Sequence, residues 1–179
     1  MPGCASGARK KKRRTAERVL DLKNKAWFWP TLFIGSSIDQ LTKLLAARHI
    51  GGRTIDIVPY ILGLVYNENP GGLFGMMAGA GTILAILSIV AMVFIVWLLH
   101  RSPADGAWTP VAFGMLASGA YGNLIDRAFN GGRVRDFILL HVGSYHWPAF
   151  NVADALICVG CGMLIWSAMR ARRGGRGRK

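Results

Sequence analysis

Two aspartates, Asp136 and Asp154, lie eighteen positions apart in the stretch VRDFILLHVGSYHWPAFNVADAL of a 179-residue chain whose residues are 52% hydrophobic. Carboxylates are costly in so apolar a chain, and where they persist they line a cavity, pair or serve function. The intervening residues are numerous enough to fold back and bring the two carboxyls together. At a few ångströms' separation both cannot ionise cheaply, so one keeps its proton while the other stays charged. Hydrolysis of a peptide bond needs that asymmetry. The charged member draws a proton from water, the protonated member donates to the carbonyl oxygen, and the two titrate as a unit. Spacing permits this pairing without requiring it.

Other chemistries have weaker supports. His141 and His146 share the segment with Asp136, but no HExxH and no suitably placed CxxC accompanies them, so neither a metal nor another cofactor is expected. Ser144 lies near His146 without a GxSxG elbow or a Ser-Lys arrangement. Cys4 sits in the basic N-terminal tail, and Cys158 and Cys161, in CVGC, read as small packing residues of an apolar helix. Asp39 and Lys43 are four apart in the order that favours an ion pair on one helix face, which makes them chiefly structural. Asp126 adjoins Arg127 and follows Asn123 on the same turn. It fits orienting Arg127, buttressing a neighbouring helix, or joining the chemistry.

The elements that must position these residues are membrane spans. From Leu73 to Leu99 the chain runs 27 residues without a charged side chain, longer than the roughly 20 a helix needs to cross the hydrocarbon layer. Three further apolar blocks, Ala26 to Ala47, Trp108 to Ile125 and Phe150 to Met169, bring the expected spans to four. The connections between them are rich in Gly, Pro or charge, as loops are. Gly75 and Gly79 on the second span, and Gly114, Ser118 and Gly122 on the third, repeat at four and allow close backbone approach. The segment RTIDIVPYILGLVY, from Arg53 to Tyr66, is rich in β-branched residues and predicts a small surface sheet.

The net charge of +13 is concentrated at the ends: residues 1 to 25 hold nine of the 22 Lys and Arg, and residues 170 to 179 hold six. This is the positive-inside pattern, with both termini cytoplasmic and free to lie against anionic lipid. No nucleic-acid role is expected, because neither tail offers a stacking platform or folded scaffold. A cleavable leader is not expected either, since Asp39 and Lys43 follow the first apolar residues without an obvious small-residue cleavage site. The chain divides into a basic extension (1–25), a four-helix membrane domain (26–170) and a basic tail (171–179).

With that topology the unusual polar groups fall at the outer ends of the spans: Asp39 and Lys43 on the first, Asn69 and Gly71 just before the second, Asn123, Asp126 and Arg127 ending the third, Asn151 and Asp154 opening the fourth. A small proton-coupled transporter, with Asp39, Lys43 and Asp126 as its relay, is the rival reading. Relays, however, place charges near the midplane, where the second and third spans carry none. A non-catalytic assembly factor is a third reading, in which both Asp136 and Asp154 would tolerate substitution.

Five short motifs occur in order: DQLTK (39–43), NPGGLFG (69–75), GNLIDR (122–127), VRDF (134–137) and FNVAD (150–154). Together with four spans, they resemble the lipoprotein signal peptidase (signal peptidase II) family of membrane aspartic peptidases. The resemblance implies an all-α membrane protein, a four-helix bundle with a small β-sheet and a mobile segment on the outer, periplasmic face of the bacterial cytoplasmic membrane. It implies an endopeptidase that cleaves prolipoproteins before a diacylglyceryl-modified cysteine, acting as a monomer without a metal. Asp136 and Asp154 would be its catalytic pair. Asn69, Gly71, Asn123, Arg127 and Asn151 would bind substrate or order the site, and Asp39, Lys43 and Asp126 would support the architecture. Two features depart from the family pattern: Arg135 stands where an apolar residue is expected, after the consecutive glycines Gly131 and Gly132, and the basic extension is longer than the family needs.

Overall fold

A computed structural model describes residues 15, 19–71, 79–102, 106–143 and 145–176, without the side chains of 171–176. Four long helices, α1 (Phe28–His49), α2 (Gly81–Arg101), α3 (Trp108–Phe129) and α4 (Val152–Arg176), are joined by strands β1 (Ile55–Val58), β2 (Leu62–Asn69), β3 (Val134–Val142) and β4 (Tyr145–His146). Each helix lies within two residues of its expected start except α2, which begins eight residues after Leu73. Gly79 precedes it with φ +87°, in the left-handed region that ends helical continuity. Gly79 is therefore not part of a helical small-residue pair, and Gly75, with the end of NPGGLFG, lies outside the described residues, as do Cys4 and Ser144.

Helix α3 is the hub, packing on α1, α2 and α4. Its small residues explain how: a Cβ on Gly114 would press into Thr31, one on Gly122 would meet the Asp39 carboxylate, and Ser118 occupies the space beside Gly35 on α1. One position on, Gly119 gives way to Ala153 and Ile157 of α4. The expected ridge of small residues is thus the α1 contact, and Gly119 adds the α4 contact.

The outside of the bundle is apolar. On α2 only Gly81 and Leu99 are buried, while Ile86, Val90, Val93 and Phe94 are exposed. Helices α2 and α4 (to Arg170) are long and apolar enough to cross a membrane. Cys158 and Cys161 also face outward, as free thiols, rather than packing in the core.

The sheet is antiparallel in the order β1-β2-β3-β4. The expected β-branched segment supplies β1 and β2, turned at Pro59-Tyr60, where Tyr60 takes φ 66° and the Ile61 N–H bonds to Val58 O at 3.1 Å. Strands β3 and β4 arise from the stretch read as a loop. VRDFILLHV pairs with β2 from Asn69↔Val134 to Leu62↔Leu140, which places Asp136 on a strand instead of a loop. An apolar cluster of Ala46, Ile50 and Phe137, with Ile55, Leu64 and Val152 around it, fastens the sheet over the ends of α1 and α4.

Candidate active site

Asp154 is the third residue of α4, and Asn151 immediately precedes that helix. The Asp154 N–H donates to Asn151 Oδ1 at 3.0 Å, and the Asn151 N–H donates back to Asp154 Oδ2 at 3.3 Å. This reciprocal capping satisfies two orphan donors of the helix end and fixes the aspartate in the first turn, where the helix dipole favours a negative charge. The remaining oxygen, Oδ1, accepts from Asn123 Nδ2 of α3 at 2.9 Å.

Asp136 is the third residue of β3 and is buried. The chain returning from β4 is bonded along β3: Trp147 N–H to Leu140 O at 2.8 Å, and Phe150 N–H to Ile138 O at 3.0 Å. Phe150 O in turn accepts both the Phe137 and Ile138 N–H groups, at 3.0 and 2.8 Å. Two residues opposing one is the arrangement of a bulge, which re-aims a side chain. By this return the start of α4 is held against β3, and Asn151 Nδ2 donates to Asp136 Oδ1 at 2.7 Å. Asn69, the last residue of β2, donates to the other oxygen, Oδ2, at 3.0 Å. Its own Oδ1 accepts the Gly71 N–H at 3.0 Å, a local turn that holds the amide in place.

One amide network therefore spans both carboxylates. Asn151 touches both, and Asn123 Oδ1 accepts from Asn151 Nδ2 at 3.3 Å and from Lys43 Nζ at 3.0 Å. With its oxygen claimed by two donors, the Asn123 amide turns its NH2 toward Asp154. Arg127, half-buried one turn along, lies in the electrostatic reach of both Asp154 and Asp136. Burial pushes the Asp136 carboxyl up to about 6, and Asp154 acts in the same direction against the Asn69 and Asn151 donors.

Behind this network lies a second one. Lys43 Nζ sits 2.8 Å from Asp39 Oδ2 and 3.5 Å from Asp126 Oδ2, with all three side chains fully buried. Asp39 Oδ1 accepts the Ala153 N–H at 2.8 Å, so α1 caps the helix that carries Asp154. Asp126 does not pair principally with its neighbour Arg127; it binds Arg135, through Nη2 at 2.6 Å, Nε at 3.2 Å and the backbone N–H at 2.8 Å. Gln40 Nε2 reaches Asp39, Asp126 and Gly122 O, while Gln40 Oε1 accepts from Arg135 at 3.1 Å.

Every expected site residue within the described portion thus joins one of two adjoining networks. Gln40 and the bonding role of Arg135 were not foreseen. Gln40 follows Asp39 in DQLTK, and a charged residue inside an apolar strand was the visible sign of Arg135. The relay reading of Asp39, Lys43 and Asp126 fares poorly, because the three are closed on one another.

Known proteins resemble this chain over most of its length. Residues 31–170 match the family model described as Signal peptidase (SPase) II. The lipoprotein signal peptidase of Syntrophotalea carbinolica is 41% identical over 75% of this chain and 85% of its own length. That of Polynucleobacter necessarius is 37% identical over 74% and 83%, and that of Vibrio cholerae 30% identical over 82% and 88%. A solved chain described as a bacterial membrane enzyme superimposes with a TM-score of 0.73 at 28% identity, covering 80% of this chain and 87% of that one.

Proposed function

The chain belongs to the signal peptidase II family and cleaves signal peptides from prolipoproteins; from that premise we propose that Asp136 and Asp154 are the pair that performs the hydrolysis. The observation that carries this is the amide network joining the two carboxylates through Asn151. Asp154, at a helix N-terminus with Asn123 and Arg127 beside it, is the ionised member and takes a proton from the attacking water. Asp136, buried and titrating at about 6, is the acid that protonates the carbonyl oxygen of the scissile bond. Arg127, within electrostatic reach of both carboxylates, balances the single negative charge as it passes from Asp154 to Asp136, and Asn69 and Gly71 hold the substrate backbone beside the pair.

The four helices all span the membrane in this reading, as one domain (26–170) between the basic extension (1–25) and tail (171–179), in a protein that acts as a monomer. Support for the orientation comes from five exposed tryptophans at the end opposite the sheet, Trp27, Trp29, Trp97, Trp108 and Trp166. Arg101 stacks over Trp97 at 5.4 Å and Arg170 over Trp166 at 5.6 Å. Basic residues beside aromatic rings fit a cytoplasmic interface, which supports the reading that the carboxylates lie at the periplasmic side of the cytoplasmic membrane. Water reaches the pair from outside while the diacylglyceryl chains of the substrate remain in lipid.

The test is cleavage by the purified protein in detergent of a diacylglyceryl-modified precursor and its unmodified counterpart. Only the former should be cut, and Asp136→Asn and Asp154→Asn should each be folded and inactive. Near-parental cleavage by either variant would remove that residue from the chemistry.

A further inference from the structure

Arg135 is the residue immediately before Asp136, and in a strand of otherwise mostly apolar side chains it is the one cation. Its backbone N–H does not serve the sheet; it bonds to Asp126 Oδ2, and the guanidinium folds round to take both oxygens of that carboxylate. Three bonds from one residue to one carboxylate close a ring across the turn between α3 and β3. That turn is built on Gly131 and Gly132, with φ +61° and +81°, and on the Gly132 N–H bonding to Arg127 O at 3.1 Å. Two successive left-handed glycines leave a turn with little rigidity of its own.

The consequence concerns the distance between the two halves of the site. Asn123, which holds Asp154, lies one turn before Asp126 on α3; Asp136 lies one residue after Arg135 on β3. The Asp126 carboxylate is also fixed from the other side by Lys43, which itself holds Asn123. We infer that Arg135 is a positioning residue, whose fork on Asp126 sets the placement of Asp136 relative to the Asn123–Asp154 arm. This rests on the reading of Asp136 and Asp154 as the catalytic pair.

Charge adds a second consequence. Lys43 and Arg135 balance Asp39 and Asp126, so the cluster behind the site is neutral. Asp136 faces Asp154 and Lys43, with Arg127 within electrostatic reach of both carboxylates. Removing the Arg135 charge leaves one uncompensated negative charge behind them, which disfavours a second carboxylate ionising.

Two substitutions separate geometry from charge. Arg135→Lys keeps the charge but loses the planar fork, and kcat should fall about tenfold with KM within about twofold and the pH limb of kcat/KM in place. Arg135→Gln loses both; kcat should fall about a hundredfold, and the alkaline limb of kcat/KM should move to higher pH. Activities are taken per folded molecule, from the thermal transition of each variant in detergent. Parental kcat and an unmoved limb in Arg135→Gln would overturn the inference, as would a loss explained wholly by a smaller folded fraction. Asp136→Asn, run alongside, keeps the two readings apart: if it cleaves normally the catalytic pair fails, and if it is dead while Arg135→Gln is normal only the positioning role fails.

Discussion

The molecule holds two pairs of aspartates in adjoining networks, and their surroundings are opposite in kind. Asp39 and Asp126 are met by cations, Lys43 between them and Arg135 on one side, with no side chain of the three-residue core exposed. Asp136 and Asp154 are met mainly by amides, from Asn69, Asn123 and Asn151. A buried cation opposes desolvation and favours the charged form of the carboxylate it meets. Amides orient a carboxylate without supplying a full charge, and desolvation is then free to hold one proton in the pair. The same residue type is architecture in one network and chemistry in the other, and what separates them is the partner's charge.

The largest expected effect follows from the amide-served pair. Asp154→Asn is nearly isosteric but keeps a single acceptor oxygen, so one of its two donors, the Asn151 N–H or Asn123 Nδ2, loses its partner, and it cannot accept a proton from water. Cleavage of a lipid-modified precursor should drop by about 10³-fold or more, at the upper end of what a positioned acid or base contributes, while the detergent-solubilised variant melts near the parent. A variant that is inactive because it is unfolded would instead place Asp154 on the architectural side of the contrast.

The cation-served pair should respond the other way. Lys43→Met leaves Asp39 and part of Asp126 buried without their shared cation, and breaking a buried ion pair in this manner costs about 3 to 5 kcal/mol. Loss of folded protein in the membrane should precede any defect in turnover per folded molecule. Retained expression and thermal midpoint would show that the cluster does not depend on the Lys43 charge.

How far the contrast could be read in the sequence depended on whether a partner lay on the same element. Asp39 and Lys43 are one helical turn apart, so their pairing followed from periodicity, as did the small-residue ridge of Gly114, Ser118 and Gly122. The capping of α4 by Asn151 and Asp154 is local too, although its Asp39 component arrives from α1. Arg135 on Asp126 depends on how the two glycines turn the chain, and that is not a local property. Nor was the strand around Asp136 legible, because FILL is an apolar run that reads equally as loop lining or sheet core until β2 is there to pair with it. The start of α2 was misread for a related reason: an uncharged run has no periodicity to show where within it the helix ending at Arg101 begins.

A pH experiment sharpens the contrast. Asp136 titrates at about 6 in the folded protein, raised from 3.8 by burial. Between those values the folded state binds the proton more tightly than the unfolded state. Its contribution to stability is therefore complete below pH 3.8 and is lost as the pH rises through about 6. In Asp136→Asn this dependence is absent, while the titration of other groups largely cancels in the difference between the two proteins. Going from about pH 4 to about pH 7, the variant should gain roughly 2 to 2.5 kcal/mol relative to the parent, since each tenfold difference in proton affinity between the folded and unfolded states is worth about 1.4 kcal/mol and part of the shift is already lost at about pH 4. A difference independent of pH would mean that burial holds no proton on Asp136, and the division between the two networks would fail.

The smallest effect should come from Gln40, which lies between α1 and α3 and belongs to the cation-served network without carrying charge. Its amide donates to Asp39, Asp126 and Gly122 O and accepts from Arg135, but each of the charged groups keeps a stronger partner when it is gone. Asp39 retains Lys43 and the Ala153 N–H, and Asp126 retains the Arg135 fork. Gln40→Ala should therefore lower stability by about 1 to 2 kcal/mol, the cost of losing hydrogen bonds at a partly buried site, and leave kcat and the pH limb unchanged. A shift of the limb in this variant would mean that the two networks exchange charge through Gln40. The neutral cluster would then be part of the proton inventory of the site, not only its support.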